Sequence, residues 1–152
     1  MGRIEKLTLY SLVLLLLWGN MVSGLGAGLA CPDWPLCFGS FFPEINFPIF
    51  MEHGHRVLGL FVTIFFALLA RKRLKFYKGR YKLIPIICSI LLAVQIIAGA
   101  LVVIRQLETN ITTFHFANAI IIFILIYIMC SYTDSDQLKL INIFNKKNLD
   151  RK

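Results

Sequence analysis

The sequence predicts an all-α fold, an integral-membrane four-helix up-down bundle. Three observations predict it. The chain of 152 residues is 58% hydrophobic, with a mean hydropathy of +0.74, a balance that excludes most soluble folds. Four apolar runs, Leu7–Val22, Ile49–Ala70, Leu83–Ile104 and Thr113–Tyr132, each approach the roughly 20 residues that cross a bilayer core as a helix. Arg71, Lys72, Arg73, Lys75, Lys78, Arg80 and Lys82 gather in the connection 71–82, as in the cytoplasmic loop of a membrane protein. No stretch alternates as a membrane β-strand would. Lipid offers the backbone no hydrogen-bond partner, so helices remain.

The formal net charge of +8 does not indicate nucleic acid, because the basic residues lie between two membrane runs. Attraction to anionic lipid headgroups accounts for them. Both termini are expected on the cytoplasmic side. No mitochondrial targeting segment is evident, so a multi-pass protein of a prokaryotic plasma membrane is the expected setting.

The first run follows Arg3 and Lys6 and resembles a signal-peptide core, with small residues after it at Ser23, Gly24, Gly26, Ala27 and Gly28. We expect it to be kept as a helix, since without it the bundle loses a wall. Gly24 and Gly28 have the GxxxG spacing that permits close helix approach. Residues 25–48 form an outer loop with prolines at 32, 35, 43 and 48, aromatic residues between them, and neither lysine nor arginine. Trp34 and the phenylalanines suit the membrane interface. Cys31 and Cys37 enclose five residues of this loop. A disulfide can persist on that face, while a metal site or two free thiols are the other readings. Cys88 and Cys130 read as buried small apolar residues.

The second run opens with Met51-Glu52-His53-Gly54-His55-Arg56. Ionisable groups at the mouth of a membrane helix are functional candidates. Glu52 and His55, three apart, share a face; His53 falls about 200° around the helix from His55. An ion pair of Glu52 with Arg56 at i+4 is the plain alternative to a chemical role. The third run tolerates Pro85 in its first turn and carries Gln95, a mid-membrane amide that needs a partner. Arg105 marks its outer end. The fourth begins near Thr112 or Thr113, either of which can cap it; His115 sits in its first turn and Asn118 follows at i+3. The tail after Tyr132 reads as an inner tail without catalytic content. No internal sequence repeat is visible.

In this topology His55 and His115 both lie in the outer third of the membrane. A helix bundle can hold a cofactor between facing helices. Two imidazoles from such helices can be the axial ligands of a haem iron, with Arg56 or Arg105 pairing the propionates. The alternative is that each histidine makes a packing hydrogen bond. Glu52 near a haem edge could act in proton transfer.

Several segments together resemble one family. Gly-Leu-Ala-Cys-Pro-Asp-Trp-Pro-Leu-Cys at residues 28–37 is similar to the first outer loop of haem A synthase. Glu52-His-Gly-His55-Arg56 resembles its Glu-x-x-His-Arg signature. The stretch from Gln95 to Val103 resembles its third helix, and His115-Phe-Ala-Asn-Ala the start of its fourth. The resemblance spans about residues 15–125.

That resemblance implies oxidation of the C8 methyl of haem O to the formyl group of haem A. It implies His55 and His115 as the haem-ligating pair, Glu52 as the acid the oxidation requires, and a Cys31–Cys37 disulfide. It also implies haem b as cofactor. The usual family member has eight helices in two four-helix halves, one for substrate haem and one for haem b. This chain corresponds to one half, so a homodimer or a second half-length chain is expected to complete it, with haem O synthase as a candidate partner. Two other classes compete: a b-type cytochrome or haem carrier that leaves the methyl intact, and a membrane thiol oxidoreductase. Against the thiol reading, the cysteines are not in CxxC spacing and no second outer pair is present.

Overall fold

A computed structural model of the chain describes residues 1–131. Four α-helices are present among them: α1 (Arg3–Gly24), α2 (Phe47–Phe76), α3 (Leu83–Ile104) and α4 (Thr109–Ser131). A short 3-10 turn, Gly79–Lys82, precedes α3. The expected inner tail, and Tyr132 as the end of the fourth helix, lie outside the described residues.

The helices form a ring. α1 packs chiefly on α2 and α3 on α4, while α1–α4 and α2–α3 contacts close the circle. α2 and α4 are therefore diagonal to one another across the core. The all-α expectation holds, but the bounds shift. α1 begins at Arg3 rather than Leu7 and takes Glu5 into the helix. α2 runs through Arg71, Lys72, Arg73 and Lys75 to Phe76, so half of the expected basic loop belongs to that helix. α4 starts at Thr109, a turn before the expected Thr112 or Thr113.

Local chemistry explains the turns. The Asn46 side chain accepts from the Ile49 N–H at 3.0 Å and caps α2, and Pro48 fits its first turn. After α1 the chain reverses at Gly26, whose φ of 65° lies in the left-handed region. The Ala27 N–H then returns to the Val22 carbonyl at 2.9 Å.

Three of the helical segments, Arg3–Gly24, Gly79–Ile104 and Thr109–Ser131, are long and apolar enough to cross a membrane by length and composition. α2, with polar groups at both ends, is not among them. The main core joins Leu12, Val62, Phe66, Leu69, Ile122, Ile126 and Met129, with Cys88 and Cys130 buried among them as expected. Around it Leu17, Ile90, Ile97 and Phe116 are exposed, an apolar belt suited to lipid contact.

At the basic end of the bundle, Glu5 is buried and bonds Lys72 Nζ at 2.7 Å and Arg73 at 3.1 Å. The Cys130 thiol lies 3.5 Å from the Glu5 carbonyl oxygen. This cluster ties α1 to the ends of α2 and α4.

Candidate functional site

At the opposite end, α2 and the 25–46 connection are built around one another. Cys31 and Cys37 are joined in a disulfide with their Cα atoms 4.7 Å apart. This settles the choice left open by their spacing: a His53 ring nitrogen lies within 4.8 Å of both sulfurs, but the sulfurs are bonded to each other. Cys37 and Ser40 exchange backbone hydrogen bonds of 3.0 and 3.1 Å. The Asp33 carboxylate accepts from the Gly39 N–H at 2.8 Å and the Phe38 N–H at 2.7 Å. These bonds hold two successive left-handed residues, Phe38 at φ 52° and Gly39 at φ 70°. The donated N–H of Gly39, that of Phe38 and the nearby Arg56 charge hold the Asp33 carboxyl below its ordinary value.

Glu52 and Arg56 clasp this loop. Glu52 is buried; one carboxylate oxygen accepts the Cys31 N–H at 2.7 Å and the other pairs with Arg56. Arg56 also donates to the carbonyls of Asp33 at 2.6 Å, Leu36 at 2.5 Å and Cys31 at 3.3 Å. The expected i+4 ion pair is thus present, and the arginine is engaged by loop carbonyls. Arg105 pairs with exposed Glu108 at 3.2 Å. His53 faces the loop, its Nε2 3.0 Å from the Phe41 carbonyl oxygen, as its separation from His55 around the helix requires.

His55 and His115 come from the diagonal helices α2 and α4. Each has a buried Nδ1 without a hydrogen-bond partner among the described residues. Each ring edge rests on a glycine of the preceding helix. A Cβ on Gly19 would stand 2.8 Å from His55 Cε1, and one on Gly99 would stand 3.2 Å from His115 Cε1. The contact between α1 and α2 is reciprocal: a Cβ on Gly54 would meet Trp18 at 2.8 Å, and Trp18 Nε1 donates to the Met51 carbonyl at 2.8 Å. Gln95 meets His115, nitrogen to nitrogen, at 3.2 Å. Asn118 Nδ2 donates to Gln95 Oε1 at 2.8 Å and to the Leu91 carbonyl at 3.0 Å.

Two imidazoles on facing helices have the donor chemistry that would ligate a porphyrin iron. The unpartnered ring nitrogens mean that local packing bonds do not use up both histidines. The GxxxG reading fails: a Cβ at Gly24 meets nothing within 4 Å and Gly28 abuts the Leu107 side chain. Close helix approach occurs instead at Gly19, Gly54 and Gly99, which sequence reasoning missed. The available signal was the placement of Trp18-Gly19 and Gly54-His55, where a large residue beside a glycine on each helix allows interlocking.

No family model matches the chain. Among curated proteins it is similar to a haem A synthase of Bacillus pumilus, 30% identical over 124 residues, covering 79% of this chain and 40% of that protein. The haem A synthase of Staphylococcus saprophyticus is 32% identical over 119 residues, covering 74% of this chain and 39% of its own. That of Geobacillus thermodenitrificans is 31% identical over 99 residues, covering 64% and 31%. The chain spans about two-fifths of the length of these curated relatives, from 31% to 40%.

Proposed function

The chain is a haem A synthase-like membrane protein spanning less than half the length of those relatives, and on that premise we propose that it oxidises the C8 methyl of haem O in haem A biosynthesis. The reading rests above all on His55 and His115, two partly buried imidazoles brought from the diagonal helices α2 and α4. This pair would hold the iron of haem O as substrate. Haem b, held by an equivalent pair, supplies one-electron transfer when bound. The second pair would come from another copy or another half-length chain.

The conversion passes from methyl through hydroxymethyl to aldehyde. With water as the oxygen source, the methyl group and one water give the formyl group, four protons and four electrons. A membrane electron acceptor takes the electrons. Glu52, a buried carboxylate on the histidine-bearing end of α2, is proposed to take protons, exchanging its bond to Cys31 or Arg56 as it does so. Arg56 and Arg105 are proposed propionate partners. The disulfide-closed loop would cover the haem edge and exclude water. α2 is proposed to span the membrane beside the three more apolar helices, with the loop end outward and both termini cytoplasmic in a prokaryotic plasma membrane. Haem O synthase is a candidate supplier of substrate.

A second reading follows from one observation: both Glu52 oxygens are already engaged by the loop clasp. If Glu52 only holds the loop, the chain would be a b-type cytochrome or haem carrier. The deciding experiment is to purify the chain in mild detergent, extract its haem and identify it by mass, with and without supplied haem O. Haem A or its hydroxymethyl precursor establishes the oxidase. Haem b alone, without conversion, establishes the cytochrome reading for the isolated chain. No bound haem removes the ligand assignment of both histidines.

A further inference from the structure

His115 is held by a hydrogen-bond chain whose direction can be read from one end. The Leu91 backbone carbonyl can only accept. The Asn118 side chain lies 3.0 Å from it, so Asn118 must present its amide nitrogen there. The same nitrogen reaches the Gln95 side chain at 2.8 Å, so Gln95 must present its oxygen to Asn118. Gln95 is then left with its amide N–H groups toward His115, whose Nε2 stands 3.2 Å away. A donor on one side requires an acceptor on the other. Nε2 therefore carries the lone pair, and in a neutral ring the proton sits on Nδ1. Reversing the imidazole would place Cε1 opposite the amide and lose the bond. Gly99, one turn beyond Gln95 on α3, closes off the Cε1 edge.

We propose that Gln95, oriented by Asn118, is a positioning residue that fixes His115 as its Nδ1–H tautomer and keeps the Nε2 lone pair for a metal. This rests on the reading of His115 as an axial ligand. Without haem, the Gln95 N–H occupies that lone pair; iron would take it by displacing a single hydrogen bond, with no proton to remove from the ligating nitrogen. Partners that select the tautomer of a ligating histidine commonly act on its other nitrogen; here the selection acts on the ligating nitrogen itself.

The test is 15N spectroscopy of ring-labelled histidine in the haem-free, detergent-solubilised chain, where three histidines keep assignment tractable. The wild type is expected to show His115 with a protonated Nδ1 and an unprotonated Nε2. Gln95→Met, which keeps the length but not the donor, is expected to release the preference and give mixed tautomers. Asn118→Leu frees the Gln95 amide to turn, and is expected to do the same with Gln95 still present. A protonated Nε2 in the wild type overturns the proposal, as does an unchanged tautomer in both variants. Ferric protoporphyrin is then added to the same samples and to His115→Ala. A low-spin bis-imidazole spectrum that requires His115 supports the reserved lone pair. Failure of His115 to contribute overturns the ligand reading and the metal role with it, whatever tautomer the ring adopts.

Discussion

Gly19 of α1 and His55 of α2 touch so closely that the glycine has no room for a side chain: a Cβ would stand 2.8 Å from Cε1 of the imidazole. In an open helix, glycine to alanine is favourable by about 0.5–1 kcal/mol. Here the methyl must push the ring or part the helices. Gly19→Ala is expected to cut the low-spin haem fraction severalfold while the chain still inserts and remains helical. Gly99→Ala, with a 3.2 Å approach to His115, should do so more weakly. Gly24→Ala, where nothing lies within 4 Å, should leave the haem spectrum unchanged. Reduced-minus-oxidised absorption spectra of the purified variants decide among these.

The clasp between α2 and the loop gives a second expectation. Arg56 holds loop carbonyls at 33, 36 and 31 as well as Glu52. Removing one partner of a buried pair strands the other, at a cost of about 3–5 kcal/mol, toward the lower end here because water can reach part of the guanidinium. Arg56→Ala is expected to loosen the loop and lower the thermal midpoint in detergent. Arg56→Lys should recover only part, since an ammonium cannot serve those separated acceptors in one plane. Limited proteolysis of the 25–46 segment, followed by mass, reports the loosening directly.

Much of the architecture was legible because membrane constraint is one-dimensional. Apolar run length and the position of charge locate helices without knowledge of their neighbours, and Glu52, His55, Arg56 and His115 stood out as ionisable groups in apolar company. Helix ends were less legible, since Arg71 to Lys75 and Glu5 are polar yet helical; their partners lie on other helices. The glycine seats were illegible for the same reason. Gly19 and Gly99 differ from other glycines only through what sits opposite them, and that is fixed by packing between helices. Gln95 was recognised as needing a partner, but which one depended on the α3–α4 register.

Asp33 supplies a pH dependence with a definite sign. Its folded-state pKa is lowered by the N–H groups of Gly39 and Phe38 and by the Arg56 charge. A carboxylate depressed on folding contributes stability above its unfolded value of about 3.9 and loses it as pH falls through the folded value. The loop is therefore expected to hold from neutrality down to about pH 4 on account of this group, and to open in stronger acid. Asp33→Asn, which replaces one accepting oxygen by a donor facing an N–H, should open it already at neutral pH. Trp34 fluorescence in a Trp18→Phe background, followed against pH, measures both.

The buried cluster at the basic end should govern stability without governing haem chemistry. Glu5 and Arg73 are both almost wholly buried, and Glu5 also bonds Lys72. Glu5→Ala leaves the Arg73 charge without this partner in a low-dielectric setting, so about 3–5 kcal/mol of destabilisation is expected. Glu5→Gln keeps an acceptor but not the charge, and should cost less. The double change Glu5→Leu with Arg73→Met removes both charges together and should recover part of the loss. Thermal unfolding of wild type, Glu5→Leu, Arg73→Met and the double variant in one detergent measures the coupling. Because Glu5 and the histidines occupy opposite ends of the bundle, the haem spectrum of folded Glu5→Gln should match the wild type; a shifted Soret band would show instead that the two ends communicate.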